Sequence, residues 1–291
     1  MQRDVVANRT ARFDGRHRCD MVRPTKRRTM VEDVAAQRAA ERLLEAHRTN
    51  APFQSLGRHS GLAAIPDAYD VQDRLVALLR PEHGNPVGYK VGLTSAPMQA
   101  FCGIDHPIAG VVLAGRVHQS GVTVQRSDFG RLGLEFEIAV RIGRDVPPIG
   151  TPYTFETIEP YIDGICAGIE LVDDRGADYA KLDVLSLLAD NSWNGGVVLS
   201  NFVTHWPDLS NVAGNVMKDS VSIGGGHGRD ILGHPFNSVA WLAGQLASRD
   251  EKLKAGQIVM TGSVMKTVFP DNAAIFKFDL EGIGSVSVSV R

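Results

Sequence analysis

Two glutamates stand two residues apart in an otherwise apolar run, Leu134-Glu135-Phe136-Glu137-Ile138-Ala139-Val140. Side chains of a β-strand alternate between its two faces. Leu134, Phe136, Ile138 and Val140 therefore point one way and Glu135 and Glu137 the other, with Cβ atoms about 7 Å apart. Carboxylates so placed repel each other unless a cation or a basic side chain lies between them. A hard divalent ion suits this role, because it takes oxygen ligands and keeps positions open for water and substrate. The solvated face of an edge strand carries the same Glu-x-Glu spacing, so the pair alone predicts only a face. Glu170 adds a third carboxylate, inside the apolar stretch Ala167-Gly168-Ile169-Glu170-Leu171-Val172. A buried carboxylate is costly without a partner. Three inward glutamates from two segments would make an oxygen-rich site for a divalent metal. Asp173-Asp174-Arg175 follows directly, so Arg175 is an alternative partner for any of these acids.

Other residues are candidates for chemistry beside a structural role. Lys90, in Gly88-Tyr89-Lys90-Val91-Gly92-Leu93-Thr94, is set among apolar residues and glycines. Desolvation there predicts a lowered pKa useful for acid–base work, whereas a strand-edge lysine would reach out to solvent. The cluster Asp190-Asn191-Ser192-Trp193-Asn194-Gly195 has amides and a hydroxyl able to bind a carboxylate or orient a water, and is equally the composition of a turn. Thr261-Gly262-Ser263 follows Ile258-Val259-Met260, a strand end whose backbone N–H groups could face an anion. Gly224-Gly225-Gly226-His227-Gly228 fits neither phosphate-binding glycine pattern and reads as a flexible turn. His234, before Pro235, reads as structural, capping the next helix or hydrogen-bonding locally.

These residues need elements to hold them. Val31–Arg48 reads as an amphipathic helix, with Val34, Leu43 and Leu44 on its apolar side. Pro66–Leu79 reads as a second, closed by Pro81 and Gly84-Asn85-Pro86. After Pro86 short β-rich runs follow, punctuated by glycine: Tyr89–Leu93, Gly110–Leu113, Val122–Val124, Leu134–Ile142, Gly195–Ser200, Ile275–Leu280 and Gly284–Val290. Helices at Phe155–Tyr161 and Phe236–Arg249 interrupt them. Many strands and few helices predict a β-rich α+β core, not a doubly wound parallel sheet.

The chain has 291 residues, 43% of them hydrophobic and 22% charged, which is ordinary globular usage and long enough for one large core. A net charge of -2 gives no global signal for nucleic acid or membrane. No apolar run approaches the roughly 20 residues of a membrane helix. Cys19, Cys102 and Cys166 form no paired motif, which suits a reducing cytoplasm. The first thirty residues hold nine Arg or Lys against three Asp, with no apolar segment after them. They read as a disordered basic tail rather than a secretory signal. Three parts follow: a tail over 1–30, a helical part over 31–86, and a β-rich part over 87–291.

In order along the chain, Gly88-Tyr-Lys90-Val-Gly-Leu-Thr94, Glu135-x-Glu137, Glu170-Leu-Val-Asp-Asp-Arg175, Ala189-Asp-Asn191, Leu232-Gly-His234-Pro and Thr261-Gly262 resemble the 2-keto-4-pentenoate hydratase and 4-oxalocrotonate decarboxylase family, within the fumarylacetoacetate hydrolase superfamily. The resemblance runs from about Val31 to the C-terminus. It implies a mixed β-roll with a small N-terminal helical part, Mg²⁺ or Mn²⁺ on Glu135, Glu137 and Glu170, and a homo-oligomer. It implies Lys90 as the acid–base residue, with Ser192, Thr261 and Gly262 near the substrate. The expected reaction is hydration of 2-hydroxypenta-2,4-dienoate in aromatic catabolism, in the cytoplasm, with no membrane or nucleic-acid partner. Decarboxylation of a 4-oxalocrotonate type, acylpyruvate C–C hydrolysis, and a non-enzymatic oligomeric binding protein are the alternatives. One departure bears on the choice. Hydratases of the family carry an aspartate directly after a proline, in a Pro-Asp-Phe/Tyr-Gly segment. Here His106-Pro107-Ile108-Ala109-Gly110 puts Ile108 in its place, and the decarboxylases are apolar there too.

Overall fold

The computed structural model describes residues 30–57 and 60–291. The basic segment, apart from Met30, and Cys19 lie outside the described residues. Two helices come first. Helix α1 (Met30–Arg48) carries Glu32 and Asp33 in its first turn and His47 and Arg48 in its last, matching the helix dipole at both ends. Its buried stripe is Ala36, Ala39, Ala40, Leu43 and Leu44. Val34 lies off it, 46% exposed, because small alanines make the close contact. Helix α2 (Ile65–His83) starts with Pro66 in its first turn, and the Asp67 carboxylate accepts from the Ala63 and Ala64 N–H groups. It runs through Pro81 to His83, so Pro81 does not end it; Gly84, in a left-handed φ of 80°, does.

Strand β1 (Pro86–Gly92), helix α3 (Ala96–Phe101), strands β2 (Ile108–Leu113), β3 (Val117–Gln119), β4 (Val122–Val124) and β5 (Leu132–Ile142) follow. Helix α4 (Phe155–Ile158) and a 3₁₀ turn over Glu159–Tyr161 lead straight into β6 (Ile162–Asp173). Period-two reading misses this strand because nearly every residue of it is buried, so no alternation marks it. Helix α5 (Val184–Ala189) and strands β7 (Asn194–Leu199), β8 (Ala213–Lys218) and β9 (Val221–His227) come next. The glycines of β9 pair with β8 in an antiparallel ladder, so that segment is an edge strand and not a flexible turn. Gly225 fits because any Cβ there would lie 2.0 Å from the Gly214 carbonyl oxygen. Helix α6 (Pro235–Ala247) and strands β10 (Ile258–Ser263), β11 (Ala274–Leu280) and β12 (Gly284–Val290) complete the chain. His234 caps α6, its Nδ1 accepting from the Phe236 N–H.

Two sheets result: β2-β1-β10-β5-β6-β7-β3 and β4-β12-β11-β8-β9. The larger is mixed, with β1 parallel to β10, β3 parallel to β7 and the rest antiparallel. Strand β5 lies at its centre, flanked by β10 and β6. The smaller sheet packs on one face of the larger, where Phe136 of β5 meets Phe278 of β11 with ring centroids 5.9 Å apart. That face of β5 is apolar, as its alternation predicts: Leu134, Phe136, Ile138 and Val140 are all fully buried. The architecture is the expected α+β roll with a helical N-terminal part. Among the described residues no helix is long and apolar enough to cross a membrane.

Phe136 is 0% exposed between the two sheets. Phe136→Ala should destabilise the protein by about 3–5 kcal/mol, transfer and cavity terms together. Urea unfolding with an unchanged m-value checks it; a loss below about 1 kcal/mol would mean the sheets do not pack through this residue.

Candidate metal centre

The register of β5 and β6 sets Glu135 directly opposite Glu170, and Glu137 opposite Gly168. Residues facing each other across a ladder share a face, so all three carboxylates project from the same side. One oxygen from each lies within 4.8 Å of the others. Glu137 and Glu170 are 0% exposed, and β5 is an interior strand, so the solvated edge does not apply. Gly168 leaves room beside them: a Cβ there would lie 2.8 Å from the Met260 methyl.

Each carboxylate has one oxygen held by a neutral donor. Thr267 Oγ1 donates to Glu135 Oε1 at 2.6 Å, the Gly262 N–H to Glu137 Oε2 at 2.7 Å, and Asn194 Nδ2 to Glu170 Oε1 at 2.9 Å. The other oxygens of the two buried residues, Glu137 Oε1 and Glu170 Oε2, have no hydrogen-bond partner. Buried polar atoms are seldom left so. Lys90 Nζ lies 3.4 Å from Glu170 Oε2, at ion-pair distance. Three carboxylates against one ammonium leave an excess of negative charge that a divalent cation would balance. Oxygen donors, orphaned lone pairs and this imbalance fit Mg²⁺-like ions.

The electrostatics express the same frustration. Burial, then the charges of Glu170 and Glu135, push the Glu137 carboxyl well above its ordinary range, against the Gly262 N–H and Lys90. Burial raises Glu170 to about 7, with Lys90 pulling down and Glu135 pushing up. Lys90 goes opposite to its sequence-based expectation. Burial lowers it, but Glu170, Glu135 and Glu137 outweigh that and hold it above the usual lysine value. A glycine-rich setting does not reveal three acids arriving from other strands.

Arg175 does not serve the glutamates. Its Nη2 donates to Asp190 Oδ2 at 2.5 Å, and Asp174 is taken by Arg131 Nε at 2.7 Å. Asp190 ends α5 and opens a turn in which Asn191, Ser192 and Trp193 all have left-handed φ, 51°, 49° and 60°. Each such residue costs about 1–2 kcal/mol and persists only where its surroundings impose it. Asn191 clamps β2, donating from Nδ2 to the Val111 carbonyl at 2.9 Å and accepting from its N–H at 2.7 Å. Ser192 Oγ donates to the Ala109 carbonyl at 3.2 Å. Thr261 Oγ1 donates to the Ile138 carbonyl at 2.8 Å, which ties β10 to β5. Gly262 must be glycine, since its φ is 112° and a Cβ would strike Thr94 Oγ1 at 2.4 Å. Ile108 is 1% exposed, and a methyl on Gly92 would meet both Lys90 Nζ (3.1 Å) and Ile108 Cγ1 (3.7 Å). Ile108 and Lys90 thus both border the space beside Gly92. Sequence reasoning did not single out Asn194 or Thr267. Asn194 stood within a polar cluster it marked, whereas nothing marked Thr267.

Comparison with known proteins places most of the chain among its relatives. Residues 101–291 match the family model described as "Fumarylacetoacetate (FAA) hydrolase C-terminal". The chain is 29% identical over 261 residues to 2-keto-4-pentenoate hydratase 2 of Dechloromonas aromatica (strain RCB), covering 89% of this chain and 98% of that protein. It is 29% identical over 255 residues to 2-oxo-hept-4-ene-1,7-dioate hydratase of Escherichia coli, covering 85% and 95%. Among solved structures, 4-oxalocrotonate decarboxylase from Pseudomonas putida G7, complexed with magnesium and adipate, superposes with a TM-score of 0.84 at 27% identity, over 91% of this chain and 100% of that one.

Without a metal, burial holds the Glu170 carboxyl at about 7 in the folded state, while the unfolded chain releases the proton at the ordinary glutamate value of 4.5. Stability from this group is therefore present below about 4.5 and lost as pH rises through about 7. Thermal melts in EDTA should show Tm falling across that window, and Glu170→Gln should flatten the fall. An equally steep fall in the variant would locate the titration elsewhere.

Proposed function

The chain belongs to the fumarylacetoacetate hydrolase family, and from that premise we propose that it is a divalent-metal-dependent lyase that hydrates 2-keto-4-pentenoate, as 2-hydroxypenta-2,4-dienoate, or a close homologue in aromatic catabolism. The observation that carries this reading is the Glu135, Glu137 and Glu170 cluster, in which the fully buried Glu137 and Glu170 each leave one oxygen orphaned, beside Lys90. Near-complete coverage of curated hydratases supports the substrate class. In this reading residues 87–291 are the catalytic part and 31–86 its helical support. The protein works as a cytoplasmic homo-oligomer, with no nucleic-acid or membrane partner.

Glu135, Glu137 and Glu170 are the proposed ligands of Mg²⁺ or Mn²⁺. When bound, such an ion supplies Lewis-acid charge for the 2-oxo oxygen and C1 carboxylate of a 2-oxo acid. Lys90 Nζ is the proposed acid–base group. It gives a proton to the terminal carbon of the dienol while the 2-hydroxyl gives one up, leaving the conjugated 2-oxo acid. Water then adds across the remaining double bond, hydroxyl at C4 and hydrogen at C3. Burial of Lys90, only 5% exposed, limits the competing waters around the amine. Thr261, Gly262 and Ser192 are proposed to line the carboxylate end. Gly262 already touches Glu137, and Ser192 binds the residue before Gly110, the register partner of Lys90.

One observation favours a second reading. Ile108, beside Lys90, offers no group to activate water. Decarboxylation of a 4-oxalocrotonate-type diacid needs no water nucleophile, only the same electron sink.

Purified protein with Mg²⁺ should consume 2-hydroxypenta-2,4-dienoate, read as loss of diene absorbance, without releasing CO₂ from 4-oxalocrotonate. The reverse pattern would replace hydration by decarboxylation, and inertness toward both would remove the lyase reading. Lys90→Met should lower kcat by about 10²–10⁴-fold if the amine moves the proton, and a variant retaining wild-type kcat would exclude that role.

A further inference from the structure

Glu170 is held from behind by a buried structure that the proposed chemistry does not use. Asn194 is 1% exposed and donates from Nδ2 to Glu170 Oε1 at 2.9 Å. This leaves Glu170 Oε2 turned toward Lys90, 3.4 Å away. Asn194 opens β7 directly after the left-handed Asn191–Trp193 turn, and its carbonyl accepts from Arg116 Nη1 at 2.9 Å. The other end of the turn is Asp190, 0% exposed. One of its oxygens accepts from Arg175 Nη2 at 2.5 Å and the other from His47 Nε2 at 2.7 Å. His47 belongs to the last turn of α1, and Arg175 follows β6, the strand that carries Glu170. Between these two ends, Asn191 and Ser192 bind Val111 and Ala109 of β2, whose Gly110 lies opposite Lys90.

We propose that the Asp190–Asn194 turn is a positioning device of the metal centre: the buried Arg175–Asp190–His47 network imposes its left-handed backbone, and Asn194 at its end fixes Glu170 with one oxygen free for the cation. The proposal rests on the metal-ligand role given to Glu170 above. Three observations combine. A run of non-glycine left-handed residues needs an outside constraint, and the ion-pair network supplies it. The amide selects one oxygen of a ligand carboxylate, which is how partners beyond the ligands orient metal sites. The same turn contacts both the strand of the ligand and the strand opposite Lys90, so one backbone conformation sets both. Asn194 and Asp190 act through Glu170 and are positioning residues, not catalytic ones.

The test is calorimetric titration of Mg²⁺ into EDTA-treated, dialysed full-length protein without substrate, with Tm recorded for each metal-free variant. Asn194→Leu keeps the branched shape and removes the donor. It should weaken Mg²⁺ binding about 10–100-fold while the metal-free fold still melts cooperatively. Asp190→Asn should weaken binding in the same direction. If loss of the Arg175 counter-charge prevents Asp190→Asn from folding, Asn194→Leu decides. Wild-type affinity, within twofold, in Asn194→Leu would overturn the role of Asn194. Wild-type affinity in a folded Asp190→Asn would overturn the part given to the network. Failure of the wild type to bind, or binding by Glu170→Gln equal to wild type, would instead overturn the metal reading on which the proposal rests.

Discussion

Everything at this site follows from placing like charges where water does not reach. Glu135 and Glu170 face each other across a central β-ladder, Glu137 stands two residues on, and the two most buried carboxylates are fully enclosed. Even after relaxation, enclosing a carboxylate costs several kcal/mol per ion, and like charges add to that. The metal-free protein offsets part of it through Lys90 and three neutral donors, and the remainder appears as raised carboxyl pKa values and oxygens without partners. Oxygen-binding divalent cations would relieve a strain of this kind.

The rest of the fold can be understood as keeping that strain in place. The smaller sheet covers the apolar face of β5, so the strand cannot turn its glutamates outward without exposing Phe136 and Ile138. Thr261 ties β10 to β5 from the side, and its neighbour Gly262 delivers a backbone N–H to Glu137 through a conformation open only to glycine. From behind, Asp190 joins the end of α1, the chain after β6 and the start of the left-handed turn. The helical N-terminal part thereby has a physical connection to the carboxylates through buried charge, not only through apolar packing.

Hydration and decarboxylation of 2-oxo acids share a way of holding substrate and differ in what reaches the carbon skeleton. The carboxylate cluster speaks to the shared part. In the proposed function Ile108 speaks to the difference, since the buried aliphatic side chain opposite Gly92 offers no group to handle water. The relatives named above divide the same way: the two curated sequences are hydratases, whereas the solved structure with a TM-score of 0.84 is a decarboxylase.

The faces of β5, both N-terminal helices, the structural use of His234 and the β-rich class were legible in the sequence, because each depends on local periodicity or residue chemistry; the grouping of the three glutamates came from the family resemblance. The misses have one cause. Strand β6 is buried on both sides and shows no alternation, and the glycines of β9 pair only because β8 lies beside them. The Lys90 shift reversed because its neighbours come from other strands. Arg175, adjacent to two aspartates, bonds a third that is distant in sequence. Asn194 and Thr267 act on carboxylates 24 and 132 residues away. Residue type and spacing determined which groups could do chemistry and which way they point along their own strand. Only the tertiary structure decided which groups meet, because register and the left-handed turn are imposed by long-range pairing that no local pattern encodes.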